Sequence, residues 1–152
     1  MTYVAAEARQ ELLDVLADAT EEIGVAVEAL TEAYDLLDEA TADRLEETLF
    51  GPAQKAYGRA RRTHSEFAAA HGLPGRDFAP APLGHGNQTV KDLIGRALDS
   101  AGGADRLLGD LQDSMLPVEV GDPAVRAGIG EVRSLVSQIP GAARELLRTF
   151  GR

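Results

Sequence analysis

The sequence lacks cysteine and tryptophan altogether, and aromatic residues make up only 5% of its 152 residues. Without cysteine the chain has no means of forming a disulfide, a thiolate metal site or a cysteine nucleophile. It also lacks any run of β-branched residues in strict apolar–polar alternation, the pattern that indicates strands. Alanine, which has the best helix propensity, is instead the most frequent residue. These features predict an all-α protein with a core of aliphatic side chains and alanine.

Long hydrophobic runs are missing as well. No apolar stretch approaches the roughly 20 residues of a membrane-spanning helix. Residues 1–7 show no basic region followed by an apolar core, as a signal peptide would. We therefore expect a soluble cytoplasmic protein with no membrane partner.

Positive charge is scarce, since 25 acidic residues outnumber 15 basic ones and leave a net charge of −10. The first 49 residues hold 14 of the acidic residues and only two basic ones, Arg9 and Arg44, whereas residues 50–152 are slightly basic. A chain with this charge gains nothing from the phosphates of a nucleic acid, so no nucleic-acid partner is expected.

The acidic segment carries two rows of apolar residues, each with a seven-residue spacing and offset from each other by three positions. The rows are Leu16, Ile23, Leu30 and Leu37, and Ala19, Ala26, Ala33 and Ala40. This a/d spacing is that of a coiled-coil seam and predicts one helix over about residues 3–49. Because the second row is alanine, a neighbouring helix can approach closely, and we predict that these eight residues form an interface.

Glycine and proline divide the rest of the chain into further helices. Gly51-Pro52 and Asp122-Pro123 are typical of helix starts, and Pro140-Gly141 kinks the last helix or divides it in two. The helices predicted after the first run over about residues 53–71, 88–116 and 123–150.

Residues 72–87 form the one long loop, which contains four glycines and three prolines. Loops of this length are usually functional or act as linkers. Phe78 and Leu83 indicate that the loop packs against the body of the protein. The whole chain, residues 1–152, is predicted to be one domain: an elongated antiparallel bundle of four or five helices with one very long N-terminal helix.

The length of the first helix limits how the others can pack. About 47 helical residues span about 70 Å, which the second and third helices match only when they are laid end to end. We expect the second helix to cover the C-terminal part of the first, with its basic flanks facing the acidic ones, and the third helix to cover the N-terminal part. If these helices leave part of the seam uncovered, a second subunit must cover it. For the oligomeric state we favour a homodimer, because twofold symmetry is the commonest in soluble oligomers.

Histidines are the first candidates for chemistry. His64 and His71 share a helix face with Tyr57 at seven-residue intervals. Two helical turns separate the two histidines by about 10 Å, too far for both to bind one ion. The Glu-x-x-His pairs of di-iron bundles are also absent. We therefore interpret His64 and His71 first as core or boundary residues and only second as weak metal-ligand candidates, and we expect no cofactor.

A second candidate lies where the long loop meets the third helix. Gly84-His85-Gly86-Asn87-Gln88-Thr89 precedes a helix N-terminus, whose free amides can bind an anion with help from His85, Gly86 and Lys91. The spacing matches no phosphate-binding fingerprint. A hinge followed by a capped helix start is the preferred interpretation of this segment.

No residue pattern indicates catalysis. The serines lack the Gly-x-Ser-x-Gly context of a nucleophile elbow, and the carboxylates of the first helix form a solvated face. We therefore expect no catalytic residues. The leading hypothesis is a non-enzymatic interaction, scaffold or regulatory module that acts through protein–protein contacts, with another protein or with itself. The alternative is a small-molecule- or metal-binding bundle that uses the face of Tyr57, His64 and His71.

Overall fold

The computed structural model describes residues 2–84 and 86–150, and within these ranges the chain forms helices and no strand. The α-helices, in chain order, are α1 (Thr2–Tyr34), α2 (Glu39–Leu45), α3 (Gly51–Ala70), α4 (Val90–Asp113), α5 (Leu116–Glu119), α6 (Pro123–Val136) and α7 (Ile139–Phe150). The prediction of an all-α helical bundle with a long N-terminal helix is confirmed. Several of the predicted boundaries are wrong.

The first helix ends at Tyr34 and does not continue to residue 49. A short break follows, in which the Leu36 amide donates to the Ala33 carbonyl. The Asp38 carboxylate then accepts the Thr41 amide at 2.8 Å and caps α2. An aspartate side chain competes with the helix for backbone amides, so a new helix starts at this point. In the sequence, the two seven-residue rows continue past this break to Leu37 and Ala40, because Asp38 occupies a position that belongs to neither row.

Helix α3 begins at Gly51, as the Gly51-Pro52 pair predicted, but the chain makes no break there, since a helical path continues from α2 into α3. One π-helical turn, Glu46–Phe50, joins the two helices, and the Gly51 amide donates to the Glu46 carbonyl five residues earlier. Proline has no amide hydrogen, and its ring clashes with a carbonyl of the preceding turn in a regular α-helix. A wider π turn directly before Pro52 accommodates both features.

The other predicted boundaries agree better with the structure. Asp122 caps α6, and its carboxylate accepts the Val125 amide at 2.7 Å. Thr89 caps α4. The last predicted helix is divided in two: α6 ends at Val136 and α7 begins at Ile139, so that Pro140 lies in the first turn of α7. Proline is tolerated there because the first amides of a helix have no helical partner.

Helix α1 packs against two neighbours, α3 and α4, over the same part of its length. At the level of Gly24, Tyr57 of α3 and Arg96 of α4 border the same cleft. The predicted end-to-end cover is therefore wrong. Helix α1 has 33 residues, roughly 50 Å, and its buried stripe extends beyond the a/d rows to Leu13 and Ala17. An apolar stripe of this width needs two neighbouring helices to cover it.

Most of the predicted interface lies in the core of the same chain. The buried members are Leu16, Ala19, Ile23, Ala26, Leu30 and Ala33, each at most 1% exposed. Leu37 is half-buried and Ala40 is exposed. Because α3 and α4 cover α1, burial of this seam needs no second subunit.

Helix α6 closes the bundle on the far side of α3. The two helices are antiparallel, since Arg59 lies by Glu131 and His71 lies by Asp122. Helix α7 then turns back onto α4 and the π turn. Helices α3 and α4 both run antiparallel to α1 and hence parallel to each other. Residues 71–89, which we call the crossover segment, must therefore travel back along the bundle between them, as in other four-helix bundles with a long crossover.

The packing of α6 on α3 depends on a glycine. A Cβ atom at the buried Gly128 would lie 2.6 Å from Thr63 Cγ2 and closer still to the hydroxyl. That hydroxyl donates to the Arg59 carbonyl at 2.7 Å, so the threonine side chain is held in place. Gly130, two residues later, would meet no atom within 4 Å.

We predict that Gly128→Ala destabilises the protein by about 1–3 kcal/mol through overpacking. The matched control Gly130→Ala should instead stabilise it by up to about 1 kcal/mol, because alanine is the better helix former. Urea unfolding followed by circular dichroism measures both. An equal gain in stability for the two variants would show that α6 does not pack closely on α3.

Candidate functional site

The crossover segment forms one wall of a cleft on the outside of the bundle. The cleft has a volume of about 450 Å³, which lies within the usual range for small-molecule pockets. Helix α1 contributes Glu21, Gly24 and Val25, α3 contributes Tyr57, and α4 contributes Arg96. Residues 76–83 of the crossover segment complete the lining.

Gly24 lets the Tyr57 ring lie directly against α1. A Cβ atom at this position would be 3.2 Å from Tyr57 Cε1, which is tighter than ordinary contact. Glycine inside a helix costs about 1 kcal/mol relative to alanine, and the close approach of the ring explains its presence. The Tyr57 side chain is only 7% exposed.

Aromatic and charged contacts hold the crossover segment against the bundle. Arg76 forms an ion pair with Glu21, and its guanidinium lies 5.4 Å from the centre of the Phe78 ring. Phe78 in turn meets His64 edge-to-face, with ring centres 5.2 Å apart. Phe78 and Leu83 also pack on the core, as predicted. The wall of the cleft is therefore fixed by contacts with α1 and α3.

His64 is a buried residue of α3 with an unusual environment. It is 3% exposed, and its Nδ1 has no hydrogen-bond partner within the described residues. Burial lowers the pKa of His64 from its ordinary value of 6.5, and the negative charge of Asp14 opposes this only in part. Burial therefore favours the neutral imidazole, which packs against Phe78.

His71 lies at the C-terminal end of α3 and faces a different neighbour. Its Nε2 is 3.0 Å from Oδ2 of Asp122. Burial raises the pKa of Asp122, but the hydrogen bond from the Val125 amide and the contact with His71 outweigh it, so that the pKa stays below its ordinary value of 3.8. This contact connects the end of α3 to the start of α6.

The predicted site on the face of Tyr57, His64 and His71 is not assembled. Tyr57 borders the cleft, His64 contacts Phe78, and His71 contacts Asp122. Within residues 2–84 and 86–150, no three His, Asp or Glu side chains are grouped so that they could hold a metal ion. The three residues occupy separate environments because they contact three different parts of the chain.

The predicted anion site at the start of α4 is disfavoured by the cap that forms there. The Thr89 hydroxyl accepts the Asp92 amide at 3.1 Å, and the Asp92 carboxylate accepts the Thr89 amide at 3.2 Å. A carboxylate thus already lies where an anion would bind. Gly86 and Lys91 are exposed, and the third candidate, His85, lies outside the described residues.

A second groove, which the sequence interpretation missed, lies between α3 and α6. Its volume is about 450 Å³, and we call it the basic groove. Its lining consists of Gln54, Lys55, Gly58, Arg59, Arg62, Glu131, Ser134 and Leu135. The sequence did contain a pattern that could have predicted this groove. Lys55, Arg59 and Arg62 are spaced by four and three residues, which places them on one face of a helix.

The cations of α3 do not pair with α1 as predicted. Arg59 Nε lies 2.7 Å from Glu131 Oε2 of α6, and no ion pair joins α1 to α3 among the residues described. The surfaces that α1 and α3 share are apolar, so the acidic residues of α1 face the solvent. Four exposed ones form what we call the acidic stripe, with spacings of four, three and four: Glu7, Glu11, Asp14 and Asp18.

Comparison with protein-family models, curated proteins and solved structures finds no significant match to this chain. In the part of the chain that the structure describes, no helix combines the length and apolarity needed to cross a membrane. Any functional inference therefore rests on the basic groove, the acidic stripe and the cleft.

We predict that His64 makes stability depend on pH. Its pKa in the folded protein is below the ordinary 6.5, so the unfolded chain binds the proton more readily. The contribution of His64 to the free energy of unfolding should be complete above about pH 6.5 and should be lost as the pH drops below that value. Urea unfolding at several pH values, compared between the parent and His64→Phe, isolates this contribution. An equal loss of stability at low pH in the parent and in His64→Phe would contradict the prediction.

Proposed function

We propose that this chain is a non-enzymatic interaction module that binds an acidic protein segment in the basic groove. The observation that carries the proposal is a concentration of positive charge in one groove of a chain with a net charge of −10. Lys55 and Arg62 are exposed. Within the described residues they form no ion pair, whereas Arg59 is paired with Glu131.

The groove combines charge with a small apolar floor. Gly58 has no atom within 4 Å of the position where a Cβ would lie, and Leu135 is half-buried beside it. A partner backbone can therefore approach α3 closely, while the cations on the rim face its acidic side chains. Such charge complementarity increases association rates and selects the partner, and it contributes less to affinity.

A second copy of the same chain is the partner that we favour. The first three residues of the acidic stripe have the four-and-three spacing of Lys55, Arg59 and Arg62, and the stripe, Lys55 and Arg62 are exposed. If the stripe of each copy lies in the groove of the other, the assembly closes with twofold symmetry. Exposed ion pairs contribute about 0–1 kcal/mol each, so this homodimer should be weak and sensitive to salt.

We predict that the protein is larger than its 16.1 kDa monomer at low ionic strength and monomeric at high ionic strength. Salt shortens the range over which exposed charges attract each other, to about 3 Å at 1 M. Size-exclusion chromatography with light scattering, at several protein concentrations, measures the mass. A monomer mass under every condition would rule out the homodimer.

Charge reversal tests the proposed surfaces directly. Lys55→Glu combined with Arg62→Glu should abolish the dimer, and circular dichroism should show that the variant remains folded. Arg106→Glu combined with Arg144→Glu changes the net charge equally at exposed sites outside the groove, and should leave more dimer than the groove variant.

Complementary reversal on the stripe provides the decisive control. Glu11→Lys combined with Asp18→Lys should also abolish the homodimer. A mixture of this variant with the groove variant should form a heterodimer, because the positively charged stripe of one variant meets the negatively charged groove of the other. A dimer that persists in the groove variant alone would place the interface elsewhere.

A further inference from the structure

The cleft beneath the crossover segment contains two hydrogen-bond donors without a partner in the described residues. Arg96 of α4 is exposed and forms no ion pair or side-chain hydrogen bond there. Tyr57 is only 7% exposed, and its hydroxyl also forms no hydrogen bond with a described residue. A guanidinium and a phenol that border one cleft can both donate to a carboxylate. Arginine is especially suited to this because its planar fork can bind both carboxylate oxygens.

The acidic groups that border the cleft do not cancel this preference. The Glu21 carboxylate is paired with Arg76, so its charge is largely neutralised. Asp77 is exposed on the crossover segment, where water and salt screen its charge. Arg96 therefore remains the cation available to an anionic ligand.

The rest of the cleft is suited to an apolar body. Val25 of α1 and Leu83 are half-buried, and Pro80 and Pro82 are exposed along the wall. Proline has no amide hydrogen and a fixed φ angle, so this part of the wall presents ring carbons and few donors. At the floor, Gly24 contributes no side chain and the Tyr57 ring packs against it.

We propose that this cleft binds a small amphipathic carboxylate, with the carboxylate at Arg96 and the Tyr57 hydroxyl and the apolar body between α1 and the crossover segment. The proposal is independent of the basic groove. The two sites share helix α3, but no lining residue is common to both.

Octanoate, octylamine and octanol are suitable probes, because they share one alkyl chain and differ only in the head group. Isothermal titration calorimetry of the full chain should show binding of octanoate, and octylamine and octanol should bind at least tenfold more weakly. If octylamine binds as tightly as octanoate, the cleft does not select a carboxylate. If octanol does so, the cleft recognises only the alkyl chain, and the proposal is overturned in either case. No binding of octanoate would overturn the proposal.

Variants locate the site. Arg96→Gln should weaken octanoate binding by roughly tenfold or more, the usual effect of losing a charged hydrogen bond. Tyr57→Phe should weaken it by roughly two- to tenfold, since it removes a hydroxyl without changing the ring. The matched control Arg106→Gln, on the same helix but outside the cleft, should bind octanoate like the parent.

A third variant probes the floor of the cleft. Gly24→Ala should reduce octanoate binding because the added methyl group displaces the Tyr57 ring.

Unchanged affinity in Arg96→Gln, or an equal loss in Arg106→Gln, would show that octanoate binds elsewhere. The mass of Arg96→Gln in light scattering separates this outcome from failure of the groove proposal, since Arg96 does not line the basic groove.

Discussion

The width of the apolar stripe on α1 determines most of the architecture. Burying a leucine or isoleucine side chain contributes about 1.5–3 kcal/mol, and α1 buries residues from Leu12 to Ala33 on a face wider than one neighbour can cover. Helices α3 and α4 therefore both pack along it, each antiparallel to α1. Two parallel neighbours require a connection as long as the bundle, and the crossover segment supplies it. The cleft exists because that connection lies against α1 and α3.

The charges follow from the same constraint. Because the surfaces shared by α1, α3 and α4 are apolar, acidic side chains of α1 remain on the outside, and Lys55, Arg59 and Arg62 of α3 lie on the side of α6. There, Arg59 meets Glu131 at 2.7 Å. On the other side of α6, Arg133 bonds Asp105 of α4 at 2.9 Å, and that hydrogen bond raises the pKa of Arg133. Partly exposed pairs of this kind contribute little to stability, but they orient α6 between α3 and α4.

Helix α3 is the element that connects the two proposed sites. Tyr57 and His64 face α1 and the crossover segment, whereas Lys55 and Arg62 line the groove with α6. The Arg61 guanidinium lies 5.1 Å from the centre of the Tyr57 ring. A protein partner in the groove and a small ligand in the cleft would thus contact opposite flanks of one helix. Gly128 and Gly24 have comparable roles, since each allows a close approach to an α3 side chain.

The sequence by itself determined the features that depend on local periodicity and local hydrogen bonds. Helical periodicity placed Ile23 and Leu30 in the core, and capping chemistry placed a helix start at Asp122. Only the tertiary structure decided that the helix breaks before Asp38 and continues through Pro52, that α3 and α4 cover the same part of α1, and that Arg59 pairs with α6. The physical reason is that periodicity shows which face of a helix is apolar but not which neighbour covers it. The cleft depends on residues from three helices and the crossover segment, and no spacing within one segment contains that information.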